Sequence, residues 1–171
     1  MNAPSVLVAG VGNIFLGDDA FGVEVARLLA TRDLGAHVRV VDMGIRAFDL
    51  MLALSDGCDA AIIIDAVRRG CPAGTILVID PESGAKADGP HASIEPHSMD
   101  VTSLLRSLGT ERRCRRVVLV GCDCGPDENG DPLNMSDAVR AAIPTAADVV
   151  EQVLGSIGGP VVAADAAEGR T

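Results

Sequence analysis

Three short runs of the chain are aliphatic without interruption: SVLVA at Ser5–Ala9, AAIII at Ala60–Ile64 and VVLVG at Val117–Gly121. None alternates apolar with polar residues. A strand that is apolar on every side chain needs cover on both faces, which is the situation of a parallel sheet held between layers of helix. Aromatic residues are only 2% of the sequence, with no Trp and no Tyr, so Val, Ile, Leu and Ala must fill the space between the layers. A chain of 171 residues can do this as one domain.

The segments between these runs fit the same plan. Gly10–Gly17 reads as a glycine-punctuated loop, and a helix is expected from about Asp19 to Thr31, with Phe21, Val25, Leu28 and Leu29 on one face. Asp18 or Asp19 can cap its start. A second strand is expected at Val38–Val41, ending at Asp42, and a second helix at Arg46–Leu54. The Ala60–Ile64 strand ends at Asp65. The link from Val67 to Gly74 is too short for a helical crossover, so Thr75–Ile79 should pair antiparallel. A long polar loop, Pro81–Pro96, precedes a third helix at Ser98–Ser107. A last helical region covers Ser136–Ser156, where Pro144 should kink or split it. The expected fold is therefore α/β: a three-layer domain over residues 1–157, with a mostly parallel, twisted sheet of about five strands, helices on both faces and one antiparallel strand. Residues 158–171, rich in Gly, Ala and acid, are expected to form a disordered tail.

The formal net charge of −10 repels phosphate backbones, and the lack of aromatics removes a base-stacking surface, so nucleic acid is excluded as a partner. No apolar run is long enough to span a membrane, and the N-terminal residues lack the basic region of a signal peptide, so a cytoplasmic location is expected. The five cysteines, Cys58, Cys71, Cys114, Cys122 and Cys124, lack the spacing of a disulfide framework and read as free thiols. Cys122 and Cys124 form a C-x-C for which a thiolate metal site is a minor alternative.

Ligands of open α/β sheets bind outside the carboxyl ends of the strands. Three of the expected strands lead there into carboxylates: Asp18 and Asp19 after the first, Asp42 after the second, Asp65 after the third. Carboxylates crowded on one edge are costly unless a cation or a proton relieves them. His97, after the long loop, can complete an oxygen and nitrogen site for a divalent transition metal. Each residue also has a plainer explanation. Asp19 can serve only as a helix cap, Asp42 and Asp65 can satisfy turn amides, and a single His is more often a surface residue than a ligand. It is their joint placement at strand ends that points to a metal.

GVGN opens like a dinucleotide fingerprint, but the third glycine position holds Phe15, and Asp18 and Asp19 would set anion against anion where pyrophosphate binds. P-loop, G-x-S-x-G and H-E-x-x-H patterns are missing from the sequence.

The segments VLVAGVGNIFLGDDAFGVEVARLL, VVDMGIRAFDL, AIIIDAV and EPHSMDVTSLL, in that order, resemble the NiFe-hydrogenase maturation endopeptidases, over Val6 to Leu154. The resemblance implies an endopeptidase that removes the C-terminal extension of a hydrogenase large-subunit precursor once nickel has been inserted. Its partner would be that precursor and its metal the nickel the precursor carries, although other divalent metals can occupy such a site. By motif, the family's metal ligands fall on Asp19, Asp65 and His97. Asp19 and Asp42 are candidate catalytic carboxylates, and Asp42 and Gly44 candidate substrate-binding residues. Two positions depart from the pattern: Asp19, where some relatives carry Glu, and Met43-Gly44-Ile45-Arg46, which replaces a D-G-G-T. The rival expectation is a non-catalytic nickel-binding chaperone or sensor that uses the same ligands.

Overall fold

The computed structural model describes residues 5–80, 113–126 and 132–157. Five strands form one sheet: β1 Val6–Val11, β2 Val38–Gly44, β3 Ala60–Val67, β4 Thr75–Ile79 and β5 Arg116–Asp123. The order is β2-β1-β3-β5-β4. The first four strands in this order run parallel, and β4 pairs antiparallel with β5. This is the mostly parallel, five-stranded α/β sheet that the aliphatic runs require, and the antiparallel strand is the one reached through the short Val67–Gly74 link.

Helices α1 (Phe21–Leu29) and α3 (Asp137–Ile157) cover one face, and α2 (Ala47–Asp56) lies on the other. Strand alternation divides the core accordingly. Ile62, Ile64, Val120 and Cys122 pack with Phe21, Val25 and Val150, whereas Ile63, Val117 and Leu119 pack with Leu50 and Leu54. The three isoleucines of β3 are fully buried. Each stabilises the fold by about 1.5–3 kcal/mol relative to an exposed side chain.

Helix α1 sits against the sheet without a side chain in between. A Cβ on Gly10 of β1 would run into the carbonyl oxygen of Gly22, and one on Gly22 would run into the carbonyl oxygens of Ile64 and Val11. Gly10 and Gly22 therefore bring the start of α1 down onto the carboxyl ends of β1 and β3.

Several boundaries differ from expectation. Asp42 and Asp65 lie inside β2 and β3 rather than at their ends, because parallel pairing continues past them, to Val11↔Gly44 and Val67↔Asp123. Asp18 and Asp19 do not cap α1. They belong to a 3-10 turn, Gly17–Ala20, and the α1 N-cap position is Ala20, with no side-chain bond. Pro144 does not split α3, which runs through it. Pro144 and Arg140, whose carbonyl loses its helical partner there, both face solvent, so water can satisfy the lost bond. The Pro81–Pro96 loop, the Ser98–Ser107 helix and the 158–171 tail lie outside the described residues.

Candidate active site

The loop after β1 closes on itself through its own backbone. The Phe15 N–H donates to Asn13 Oδ1 at 3.0 Å, the Leu16 N–H to the Asn13 carbonyl at 3.1 Å and the Asp19 N–H to the Leu16 carbonyl at 2.9 Å. The Asn13 N–H donates to Asp19 Oδ2 at 2.7 Å, so the carboxylate is tied to the loop that leads to it. The Gly12 N–H donates to the Gly44 carbonyl at 3.0 Å, joining this loop to the end of β2. Gly44 turns the chain there with φ +53°, a conformation that glycine adopts without strain.

Asp19 is half-buried, and burial pushes its carboxyl above the ordinary carboxylate range, against the bond from Asn13 and the positive charge of Arg68. A group placed in this way gains from a cation nearby. The turn that carries it packs against β3, the strand of Asp65. Asp18 faces elsewhere. It accepts the Ser136 N–H at 2.6 Å and the Ser136 hydroxyl at 3.0 Å, while Ser136 Oγ accepts the Val139 N–H at 3.4 Å. Asp18 thus fastens the start of α3.

Asp42 stands apart from Asp65. It pairs in register with Gly10 and lies in the alternation of Val38 and Val40, toward α1, where Arg27 meets its Oδ2 at 3.4 Å. Asp65 follows Ala61 and Ile63, on the α2 side. The turn that carries Asp19 thus packs against β3, where Asp65 lies on the α2 side, while Asp42 lies on the α1 side. Gly44 lies beside the Gly12 loop. His97 lies outside the described residues, and among those described no three His, Cys, Asp or Glu side chains converge as a metal cage.

Two features escaped the sequence reading. Asp123, at the end of β5, is fully buried and accepts three backbone N–H groups, from Arg69 and Cys71 at 2.9 Å each and from Gly125 at 2.8 Å. The Gly two residues after it is the signal of an Asx-type turn that could have marked it. Arg68 brings a cation to the same edge, bonds the Gly125 carbonyl at 3.3 Å and acts on Asp19. In the C-x-C pair, burial pushes the Cys122 thiol up to about 11 and the Cys124 thiol up to about 12, so both read as protonated thiols in this fold.

The edge is also apolar where it meets solvent. Phe15 is 73% exposed and Phe48 65%, so two of the three aromatic residues in the chain stand in water here. Ile14, Leu16 and Ile45 are exposed beside them.

An open, mostly parallel sheet with a carboxylate-bearing turn at its carboxyl edge defines an α/β protein of the kind whose ligands bind among the loops above the strands. Comparison with known proteins narrows this. The family model for the hydrogenase maturation protease HycI matches residues 23–153. The hydrogenase 2 maturation protease of Escherichia coli is 30% identical over 156 residues, 89% of this chain and 90% of that protein. The hydrogenase expression/formation protein HupD of Rhizobium leguminosarum is 30% identical over 168 residues, 94% of this chain and 79% of that protein. Among solved structures, the hydrogenase maturating endopeptidase HybD from E. coli superposes with a TM-score of 0.73 at 29% identity, covering 90% of this chain and 94% of that one. The chain belongs to the hydrogenase maturation protease family, and is accordingly a hydrolase of the endopeptidase class.

Proposed function

We propose that this protein removes the C-terminal extension of a NiFe-hydrogenase large-subunit precursor in the cytoplasm, and that it recognises the nickel ion that the precursor carries. The observation that carries the reading is Asp19: a half-buried carboxyl, raised by burial, on a closed loop that follows β1 and packs against β3, the strand that bears Asp65. Among the described residues Asp19 Oδ2 accepts one hydrogen bond and Oδ1 none, which leaves an oxygen for an incoming cation. Asp65 and His97 are assigned as its companion ligands, a mixed oxygen and nitrogen set suited to nickel and other divalent ions.

The nickel is cargo of the substrate, so the protein's part is to orient it. Fixing the scissile segment beside a bound ion raises the effective concentration of the reacting groups. Asp42, whose charge Arg27 already compensates, fits a role in shaping the β2 rim with Gly44 better than one in activating water. The exposed Phe15, Phe48, Ile14 and Ile45 fit a protein-sized substrate, because an apolar surface of this kind is stabilised when a partner covers it. Among the described residues no helix is long and apolar enough to cross a membrane.

The test is a mass measurement on nickel-loaded precursor incubated with wild type and with Asp65→Asn. Shortening by wild type and intact precursor with the variant are expected. Precursor that binds wild type but is never shortened would overturn the proteolytic reading in favour of a chaperone or sensor.

A further inference from the structure

The opposite edge of the sheet holds a pair of thiols that proteolysis does not use. Ala60 of β3 and Arg116 of β5 are register partners, and Cys58 and Cys114 each lie two residues before them. The two cysteines thus extend neighbouring parallel strands at the same level, and their sulfurs stand 2.6 Å apart. Both backbones are held. The Arg113 and Cys114 N–H groups donate to the Leu54 carbonyl at 3.2 Å each, and the Asp59 N–H donates to the Ser5 carbonyl at 2.9 Å. Cys58 is half-buried and Cys114 buried, so a small oxidant has a route to the first sulfur while the other lies beneath it. Both are reduced in this structure.

We propose that Cys58 and Cys114 are a redox-active dithiol that a hydroperoxide converts into an intramolecular disulfide across the amino edge of the sheet. The Cys58 thiolate attacks one peroxide oxygen, the O–O bond breaks, and hydrogen peroxide yields a Cys58 sulfenic acid and water. The Cys114 sulfur then attacks the sulfenic sulfur, the S–S bond forms, and the hydroxyl leaves as a second water with the Cys114 proton. Two thiols lose two electrons, and the peroxide gains them.

Chemistry at the other cysteines favours this pair. The hydrogen bond between Cys58 and Cys114 holds the Cys58 thiol below its ordinary range, against burial and with help from the positive charge of Arg39. Burial holds Cys122 and Cys124 well above theirs, which withholds the thiolate that reacts. The bond would close the chain between positions 56 residues apart, a covalent loop that contains both Asp65 and His97.

The experiment treats the full reduced chain with a slight excess of hydrogen peroxide, blocks remaining thiols and measures intact mass, linked peptides and melting temperature. Expected are a mass lower by two hydrogen atoms, a peptide that joins Cys58 to Cys114, and a melting temperature higher by roughly 10 °C that a dithiol reductant reverses. Cys58→Ser should abolish all three. Sulfinic acid at Cys58 without a linked peptide, a link to a different cysteine, or a stability gain that persists in Cys58→Ser would each overturn the proposal.

Discussion

The end of β5 and the turn after β1 lie at the same edge of the sheet, and each withdraws a carboxylate from water. They treat it in opposite ways. At the end of β5, three backbone N–H groups converge on Asp123, and both of its carboxylate oxygens find donors inside the fold. At the turn after β1, one N–H reaches Asp19, and burial outweighs that bond and the charge of Arg68. The first carboxylate is fixed structure, since it knits the Arg69–Cys71 link to the last strand. The second is left short of donors, and a cation from outside can supply what the fold does not. Burial alone does not separate the two roles; the count of donors does.

One substitution at both places gives the sharpest test of this contrast. Asp19→Asn keeps an acceptor for the Asn13 N–H and removes the charge. Processing of nickel-loaded precursor should fall by about a hundredfold or more, some 2.7 kcal/mol of lost interaction, while the melting temperature without metal stays equal or rises. Full activity in this variant would place Asp19 on the structural side with Asp123.

The same change at Asp123 should do the reverse. An amide turns its own N–H groups toward donors, so at least one buried N–H loses its acceptor. We expect a loss of about 2–4 kcal/mol in denaturant unfolding, with the processing rate of the folded fraction retained. An Asp123→Asn protein as stable as wild type would erase the distinction.

Asp18 lies between these cases, because it holds a helix start and meets no open donor. Asp18→Ala frees the Ser136 N–H and hydroxyl and loosens the start of α3. A cost of about 1 kcal/mol is expected by chemical denaturation, without change in precursor affinity. A drop in affinity at unchanged stability would move Asp18 into the site.

The smallest effect is a pH slope. Asp19 titrates higher in the folded chain than its ordinary 3.8, so its contribution is fully present below that value and is lost as pH rises through the folded value. The melting temperature of Asp19→Asn minus that of wild type, without metal, should therefore increase as pH rises from below 3.8 through the folded value, and then level off. A flat or falling difference would contradict a raised Asp19.

The sheet was readable in the sequence because aliphatic runs without alternation admit few other arrangements, and β4 because eight residues cannot carry a helical crossover. Family membership was readable from the motifs. The electrostatics were less so. Asp42 and Asp65 look like strand terminators, since charges usually stop a buried strand, yet pairing runs on past both. Asp18 and Asp19 look like caps for the next helix, yet one bonds a helix start 118 residues away and the other bonds back onto its own loop. Asp123 hides between two cysteines, because a carboxylate satisfied by distant backbone leaves no periodic trace. Pro144 looks like a break, but its solvent-facing position makes it harmless.

The contact of Gly10 with Gly22 has a consequence for how the site meets its substrate. The height of the Gly12–Ala20 segment above the sheet is set by backbone resting on backbone, where no side-chain rotamers exist to be frozen. Capture of a cation there, as proposed above, would forfeit little conformational entropy, so more of the interaction energy would be retained as affinity. A preorganised loop of this kind would keep its shape between turnovers, ready for the next precursor as soon as the mature subunit departs.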